Sequence, residues 1–285
     1  MKKKKTVTTL LLGLAVLALA SLVTAHIAGF QRKTQAASPK TCAAPNALRT
    51  TNTLRQQAAQ QQQQQEEPTV VQEGVMTDRQ KKHGKLFKRY GVLTGGRKLK
   101  DAPSETGDVT VAVEVGDRLR PDRPFDLNTY LRDNACKADA VVVGAVKSKA
   151  SQLTEDGTFA FTDYEFTIEE VLKNNAAAPL NTGSQITIAR AGGVVKLQGR
   201  TLRAFDQSEK PLESNGRFLL FLQYIPDTGD YKSYSGDLGD ASFQLRGDKL
   251  SQVSEEPLPE GTGRNVDATS FLTKVRAAVY GACNN

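Results

Sequence analysis

Alternation of apolar and polar positions is the plainest signal in this chain, and it begins late. Val109, Val111, Val113 and Val115 alternate with Thr110, Ala112 and Glu114, a period of two that predicts a half-buried strand. Asp126 stands at a helix N-cap position, ahead of Leu127, Tyr130 and Leu131 on one helical face. Residues 138–146 are β-rich and apolar at successive positions, which predicts a central strand. Gly144 inside that run predicts a bulge or a neighbouring backbone at close range. After a turn at Glu155-Asp156-Gly157, residues 159–172 set Tyr164, Phe166 and Ile168 against Asp163, Glu165, Thr167 and Glu169, a strand with one wet face. Asn174-Asn175 and Pro179 end it, and Ile186 and Ile188 make a further strand stopped by Gly192-Gly193. Residues 192–216 then read as a loop of mixed polarity, and loops of that length usually carry function. Residues 218–222 are apolar throughout, the most buried strand of the set, and 244–250 read as a hairpin turning at Gly247-Asp248. Residues 270–279 are helical, with Phe271, Leu272, Val275 and Val279 as the apolar stripe and Asp267 or Thr269 as the cap.

Ahead of residue 107 the pattern is of another kind. Lys2 to Lys5 precede an uncharged stretch that lasts to Arg32 and includes the apolar run from Leu10 to Ala20. This is the layout of a secretory signal, with small-residue cleavage sites near Ala20 or Ala25, and it is also long enough for an uncleaved membrane helix. Either reading leaves the remainder facing outward, membrane-anchored or secreted, because the lysines stay inside. A buried core helix is the third reading. Residues 31–106 read as a disordered tether: Gln60 to Gln65 is an unbroken polar tract with nothing to bury. A basic patch follows in Arg79, Lys81, Lys82, Lys85, Lys88 and Arg89, with Gly84, Gly91, Gly95 and Gly96 limiting any helix built on Leu86, Tyr90 and Leu93. That patch is either a solvated linker or a contact for anionic lipid or another polyanion.

Charge supports this division. Residues 1–100 hold 18 Lys and Arg against 4 Asp and Glu, and residues 101–285 hold 20 against 27. The overall +7 therefore belongs to the front of the chain, which argues against reading the acidic remainder as a nucleic-acid binder.

The expected architecture is a 1–30 signal or anchor, a 31–106 tether and a 107–285 globular domain. The domain is mainly β, about six or seven strands in a small curled or closed barrel with a C-terminal helix. The opening Cys136-Lys137-Ala138-Asp139-Ala140-Val141-Val142-Val143-Gly144, the strand Tyr164-Glu165-Phe166-Thr167-Ile168-Glu169-Glu170-Val171-Leu172, the apolar strand at 218–222 and the closing helix with Cys283 follow in order. This arrangement resembles the OB-like barrel of netrin-type modules, the fold shared by tissue metalloprotease inhibitors. Those inhibitors present a mature N-terminal cysteine whose amine and carbonyl reach the protease metal. Cys136 is internal, so the resemblance implies the fold and not the inhibition.

Candidate chemistry is sparse. In an exported chain Cys136 and Cys283 stand where a disulfide would staple the ends of the domain, leaving Cys42 in the tether. His26 and His83 are the chain's two histidines and both precede residue 107, so no Ser-His-Asp or Cys-His group and no His-ligated zinc site is expected in the domain. No G-x-S-x-G elbow is present, and the stretch from Gly193 to Thr201 lacks the spacing and the lysine of a phosphate loop. Asp163, Glu165 and Glu169 offer carboxylates for acid–base work on one strand face, or simply a solvated face. Asp227, Asp230, Asp237 and Asp240 lie among glycines in a loop that calcium favours, without EF-hand spacing, and ordinary turns explain them equally. Arg246-Gly247-Asp248 spells an adhesion tripeptide but also suits a hairpin turn. The expected function is a non-catalytic, exported binding module with an unassigned protein or envelope ligand and no firm cofactor or metal. The alternatives are a carboxylate-dependent hydrolase of envelope polysaccharide and a structural envelope spacer.

Overall fold

A computed structural model of the chain describes residues 69–70, 75–93, 96, 98–101, 109–113, 125–206, 209–236, 239–254, 258 and 263–282. The apolar N-terminal run, the Gln tract, Cys42 and Cys283 lie outside the described residues. All the described residues fall within one unit spanning 56–285. In chain order its elements are β1 (Thr69–Val70), α1 (Asp78–Leu86), α2 (Lys88–Leu93), β2 (Val109–Val113), α3 (Leu127–Lys137), β3 (Ala140–Leu153), β4 (Ala160–Lys173), β5 (Gln185–Ala191), β6 (Gly193–Leu197), β7 (Arg200–Asp206), β8 (Arg217–Ile225), β9 (Asp230–Ser233), β10 (Ser235–Gly236), β11 (Gly239–Asp240), β12 (Ser242–Arg246), β13 (Lys249–Gln252), β14 (Val266–Asp267) and α4 (Ala268–Ala282). The chain is mainly β with a C-terminal helix, as its periodicity predicts.

Eight strands form the main sheet in the order β14-β13-β12-β8-β3-β4-β5-β9. β9 pairs with β5 in parallel and also with β8 in antiparallel, so β3, β4, β5, β9 and β8 close a ring of pairings. It is not a clean barrel. One edge of β8 is shared: residues 222–225 take β9, while residues 217–220 take β12 and lead the sheet away toward β14.

This topology explains why β3 and β8 are apolar on both faces. Val142, Tyr164, Phe166, Ile188, Leu220 and Tyr231 fill the inside of the ring. Val141, Val143, Phe221 and Phe243 point the other way, under α3 and α4, where Leu131, Phe271 and Val275 meet them. The caps are the expected ones. Asp126 accepts from Thr129 N at 2.9 Å at the start of α3, and Asp267 accepts from Ser270 N at 2.7 Å at the start of α4. Gly144 sits at a register shift between β3 and β4, and a Cβ there would lie 2.1 Å from the Thr167 carbonyl oxygen and 2.6 Å from Phe166 Cε1.

Two expectations are corrected. The loop expected over 192–216 contains the hairpin β6–β7, which turns on Gln198 and Gly199 with φ of 51° and 80°. Two successive positive φ values define the type I′ turn that matches strand twist. Val194, Val195, Leu197, Leu202 and Ala204 are buried while Lys196 is exposed, so the mixed polarity belongs to strands with a wet face. This hairpin lies in a second sheet, β1-β6-β7-β2. Nor does the folded unit begin at residue 107. α1 and α2 lie within the stretch expected as tether, yet Phe87, Tyr90 and Leu99 share a third core with Phe159, Phe161, Ala189 and Val195. Gly84 and Gly91 admit this packing instead of breaking it. A Cβ on Gly84 would sit 3.2 Å from Phe161 Cε1, and one on Gly91 would sit 2.0 Å from Thr158 Oγ1.

The close approach at Gly144 sets a test of the β3–β4 register. G144A is expected to lower stability by about 2–3 kcal/mol in urea unfolding, from overpacking against backbone. G183A, whose methyl meets nothing within 4 Å but whose φ is +85°, should cost only about 1 kcal/mol. Equal midpoints for G144A and wild type would contradict the register.

Candidate functional site

α1 starts on a capping box. Thr77 Oγ1 accepts from Gln80 N at 3.2 Å, and Gln80 Oε1 accepts from Thr77 N at 2.9 Å. One side of the arm formed by α1 and α2 then faces the sheet. Phe87 stacks on Phe161 with ring centroids 5.8 Å apart, and Tyr90 stacks on Phe159 at 4.8 Å. Between Thr77 and Phe87 the inward side chains include two charged ones, Arg79 and His83, beside the apolar Leu86.

His83 is fully buried at 0% exposure. Its Nδ1 lies 2.8 Å from Asp163 Oδ1 on β4, and its Nε2 lies 3.1 Å from both Asp230 Oδ2 on β9 and Thr228 Oγ1. Arg79, one turn earlier, forks onto the same Asp230: Nε donates to Oδ2 at 2.6 Å and Nη2 donates to Oδ1. Nη2 also donates to Thr187 Oγ1 on β5 at 2.6 Å. Two cations of α1 therefore meet two carboxylates across three neighbouring strands. Burial on its own drives the His83 pKa down, but the hydrogen bonds and charges of Asp163 and Asp230 outweigh it and raise it to about 9. Burial likewise opposes ionisation of Asp230, yet His83 and Arg79 lower its pKa to about 2. At neutral pH the cluster is an imidazolium and a guanidinium clasped by two carboxylates.

The expectation that the folded unit contains no histidine is thereby corrected. Asp163, His83 and Thr228 even line up as carboxylate, imidazole and hydroxyl, the order of a hydrolase charge relay. A relay needs a neutral ring whose Nε2 accepts the hydroxyl proton. Here a second carboxylate holds a proton on Nε2, and no water reaches the ring. The geometry suits a structural clasp.

A second polar group anchors the far end of the arm. Tyr90 donates its hydroxyl to Asp206 Oδ2 at 3.1 Å, and the Arg89 guanidinium lies 5.2 Å from the Tyr90 ring centroid. Burial and the Glu209 charge push the Tyr90 pKa up, while burial and the Arg89 charge pull that of Lys232 down. Arg190 on β5 is 2% exposed. It donates to Ser233 Oγ at 2.6 Å, Ser242 Oγ at 3.0 Å and the Lys210 carbonyl at 3.1 Å, with Glu209 3.7 Å away.

The residues singled out in the sequence fare unevenly. Of the acidic loop, Asp230 already accepts three hydrogen bonds, two from Arg79 and one from His83. Asp227 is exposed and its carbonyl accepts from Lys82 Nζ at 2.9 Å. Asp237 and the side chain of Asp240 lie outside the described residues. The strand carboxylates are dispersed: Asp163 binds His83, Glu165 accepts from Ser148 Oγ at 2.7 Å, and Glu169 pairs with Arg217. Arg246, Gly247 and Asp248 form the expected hairpin turn, with Arg246 on Glu213. Cys136 is exposed near the end of α3, while its expected partner Cys283 lies outside the described residues. Of the basic patch, Arg79 turns inward and Lys81, Lys82, Lys85, Lys88 and Arg89 stay exposed. Among the described residues no cluster of His, Cys, Asp and Glu is arranged to hold a metal, and no helix is long and apolar enough to cross a membrane.

The clasp has a defined pH signature. Because the His83 pKa is raised, its contribution is complete below about 6.5 and is lost as the pH climbs through 9, a loss of roughly 3 kcal/mol. The Asp230 contribution is present above about 4 and disappears as the pH falls through 2. H83Q is expected to be less stable than wild type by about 3 kcal/mol at pH 7, with the gap narrowing toward pH 10 in urea titrations. A wild-type midpoint that does not fall between pH 6.5 and 9 relative to H83Q would contradict the clasp.

No protein-family model matches this chain, and no curated protein matches it.

Proposed function

We propose that the chain is an exported, membrane-tethered binding module without catalysis of its own, built on an OB-like barrel. The ring β3-β4-β5-β9-β8 supports the fold part of this reading. It is a five-stranded circuit whose third and fifth strands, in chain order, run parallel, and three strands branch from it. Barrels of this kind commonly use the outer face of their second and third strands as a ligand platform. The corresponding strands here are β4 and β5.

The observation that carries the reading is what those strands already do. Asp163, Thr187 and Asp230 grip a helix through an arginine and a histidine, and Phe161 receives its aromatic ring. This is recognition chemistry spent on a protein segment, with the ionisable groups saturated by partners. Export rests on the lysine-led apolar segment, and the Cys136–Cys283 staple belongs to the same reading.

Two measurements test it. A membrane-impermeant maleimide, added to intact cells after mild reduction, should modify Cys136; labelling that requires lysis would place the unit in the cytosol and end the export reading. The full chain incubated with envelope polysaccharide should release no reducing ends above a blank. Release abolished by E165Q, which keeps the Asp163–His83 and Asp230–Arg79 pairs, would replace the binding module with the carboxylate hydrolase.

A further inference from the structure

We infer that the outward face of α1 and α2 docks on an anionic lipid surface, an inference that rests on the tethered-module reading. The clasp divides the cations of the arm into two sets. Arg79 and His83 are neutralised beneath the helix by Asp230 and Asp163. Lys81, Lys82, Lys85, Lys88 and Arg89 are left exposed, and Lys81, Lys85 and Lys88 recur at helical spacing on the side away from His83. Because the inner set is locked onto three strands, the outer set is held as a rigid ridge.

The acids around this ridge do not cancel it. Asp78 reaches Lys81 at 3.4 Å but is itself 94% exposed, a loose pair. Asp156, whose charge the nearby Lys88 stabilises, accepts from Thr154 and Thr158. Asp227 offers Lys82 its carbonyl. Arg89 also feels Asp206 and Glu209, so the excess lies on Lys81, Lys82, Lys85 and Lys88, four cations against three acids, whereas residues 101–285 as a whole carry 20 basic against 27 acidic side chains. An anionic surface repels most of the unit and attracts this face, so approach is oriented. Val75, two residues ahead of the Thr77 cap, is 67% exposed, one of two large apolar side chains so exposed among the described residues. An apolar side chain beside a basic ridge suits the boundary between headgroups and acyl chains. Each cation held near an anionic leaflet changes partition by on the order of fivefold, weak singly but effective on a chain whose own N-terminal segment keeps it at the membrane.

The test uses the full chain reconstituted into phosphatidylglycerol vesicles and, separately, phosphatidylcholine vesicles, with reductive methylation of lysines read by mass spectrometry. Labelling of Lys81, Lys85 and Lys88 is expected to be at least about fivefold slower in phosphatidylglycerol. Protection should vanish in about 0.5 M NaCl, where the Debye length is roughly 4 Å. Lys249, exposed on β13, should label equally in both lipids. In K81E/K85E/K88E, with folding checked by the thermal midpoint, Lys82 should lose its protection. Equal labelling of the ridge in the two lipids, or protection that survives high salt, would overturn the docking surface and leave the binding-module reading standing. Cytosolic Cys136 would end the tethered reading whatever the lysines do.

Discussion

A buried imidazolium shared between two carboxylates is the interaction on which this unit's organisation depends. His83 has no water to turn to, and Asp163 and Asp230 come from β4 and β9, strands separated in the sheet by β5. Desolvating such charges is costly, and only full pairing offsets it. Removing one partner strands the others, which is why the contribution is large when measured by deletion even where the net gain of the intact group is modest. The cluster ties α1 to named partners on the sheet, with Arg79 on Asp230 and Phe87 on Phe161.

From that attachment the rest follows. The arm covers the outer faces of β4 and β5, so Phe161 and Ala189 belong to a core shared with α2 and the β6–β7 hairpin. The ring keeps its own interior, and α3 with α4 covers the opposite side. β3 and β8 lie between two of these cores over residues 140–146 and 218–222, where both faces are apolar. The fixed arm also decides which cations are neutralised by partners and which face solvent, so the proposed docking face is a consequence of the clasp.

Legibility in the sequence followed the range of the interactions involved. Strands with one wet face, such as β4, show their period of two directly, and the caps at Asp126 and Asp267 are local hydrogen bonds between residues three apart. Gly144 was readable because a strand interior tolerates glycine only for a bulge or a close approach, and both occur. The arm was obscured because its buried face is His83, Gly84, Phe87, Tyr90 and Gly91, of which two are glycines and one is a charged histidine. Their spacing of one, four, seven and eight residues is helical, and it is the signal that an apolar count overlooks. Partners 80 and 147 residues away make His83 an interior residue, and nothing near it in the sequence states that. The β6–β7 hairpin was hidden for a simpler reason. Its strands interleave Lys196, Arg200, Thr201 and Arg203 with the buried Val195, Leu197, Leu202 and Ala204, and its turn is Gln-Gly instead of the commoner Asn-Gly.

The central claim is that His83 is a cation locked between carboxylates, and NMR of its ring nitrogens addresses this directly. In the folded protein at pH 7 both Nδ1 and Nε2 should show the shifts of a protonated imidazolium with slowly exchanging ring protons, and the ring should titrate near pH 9. A ring that is neutral at pH 7, or that titrates at or below the ordinary histidine value of about 6.5, would contradict the clasp and everything arranged around it.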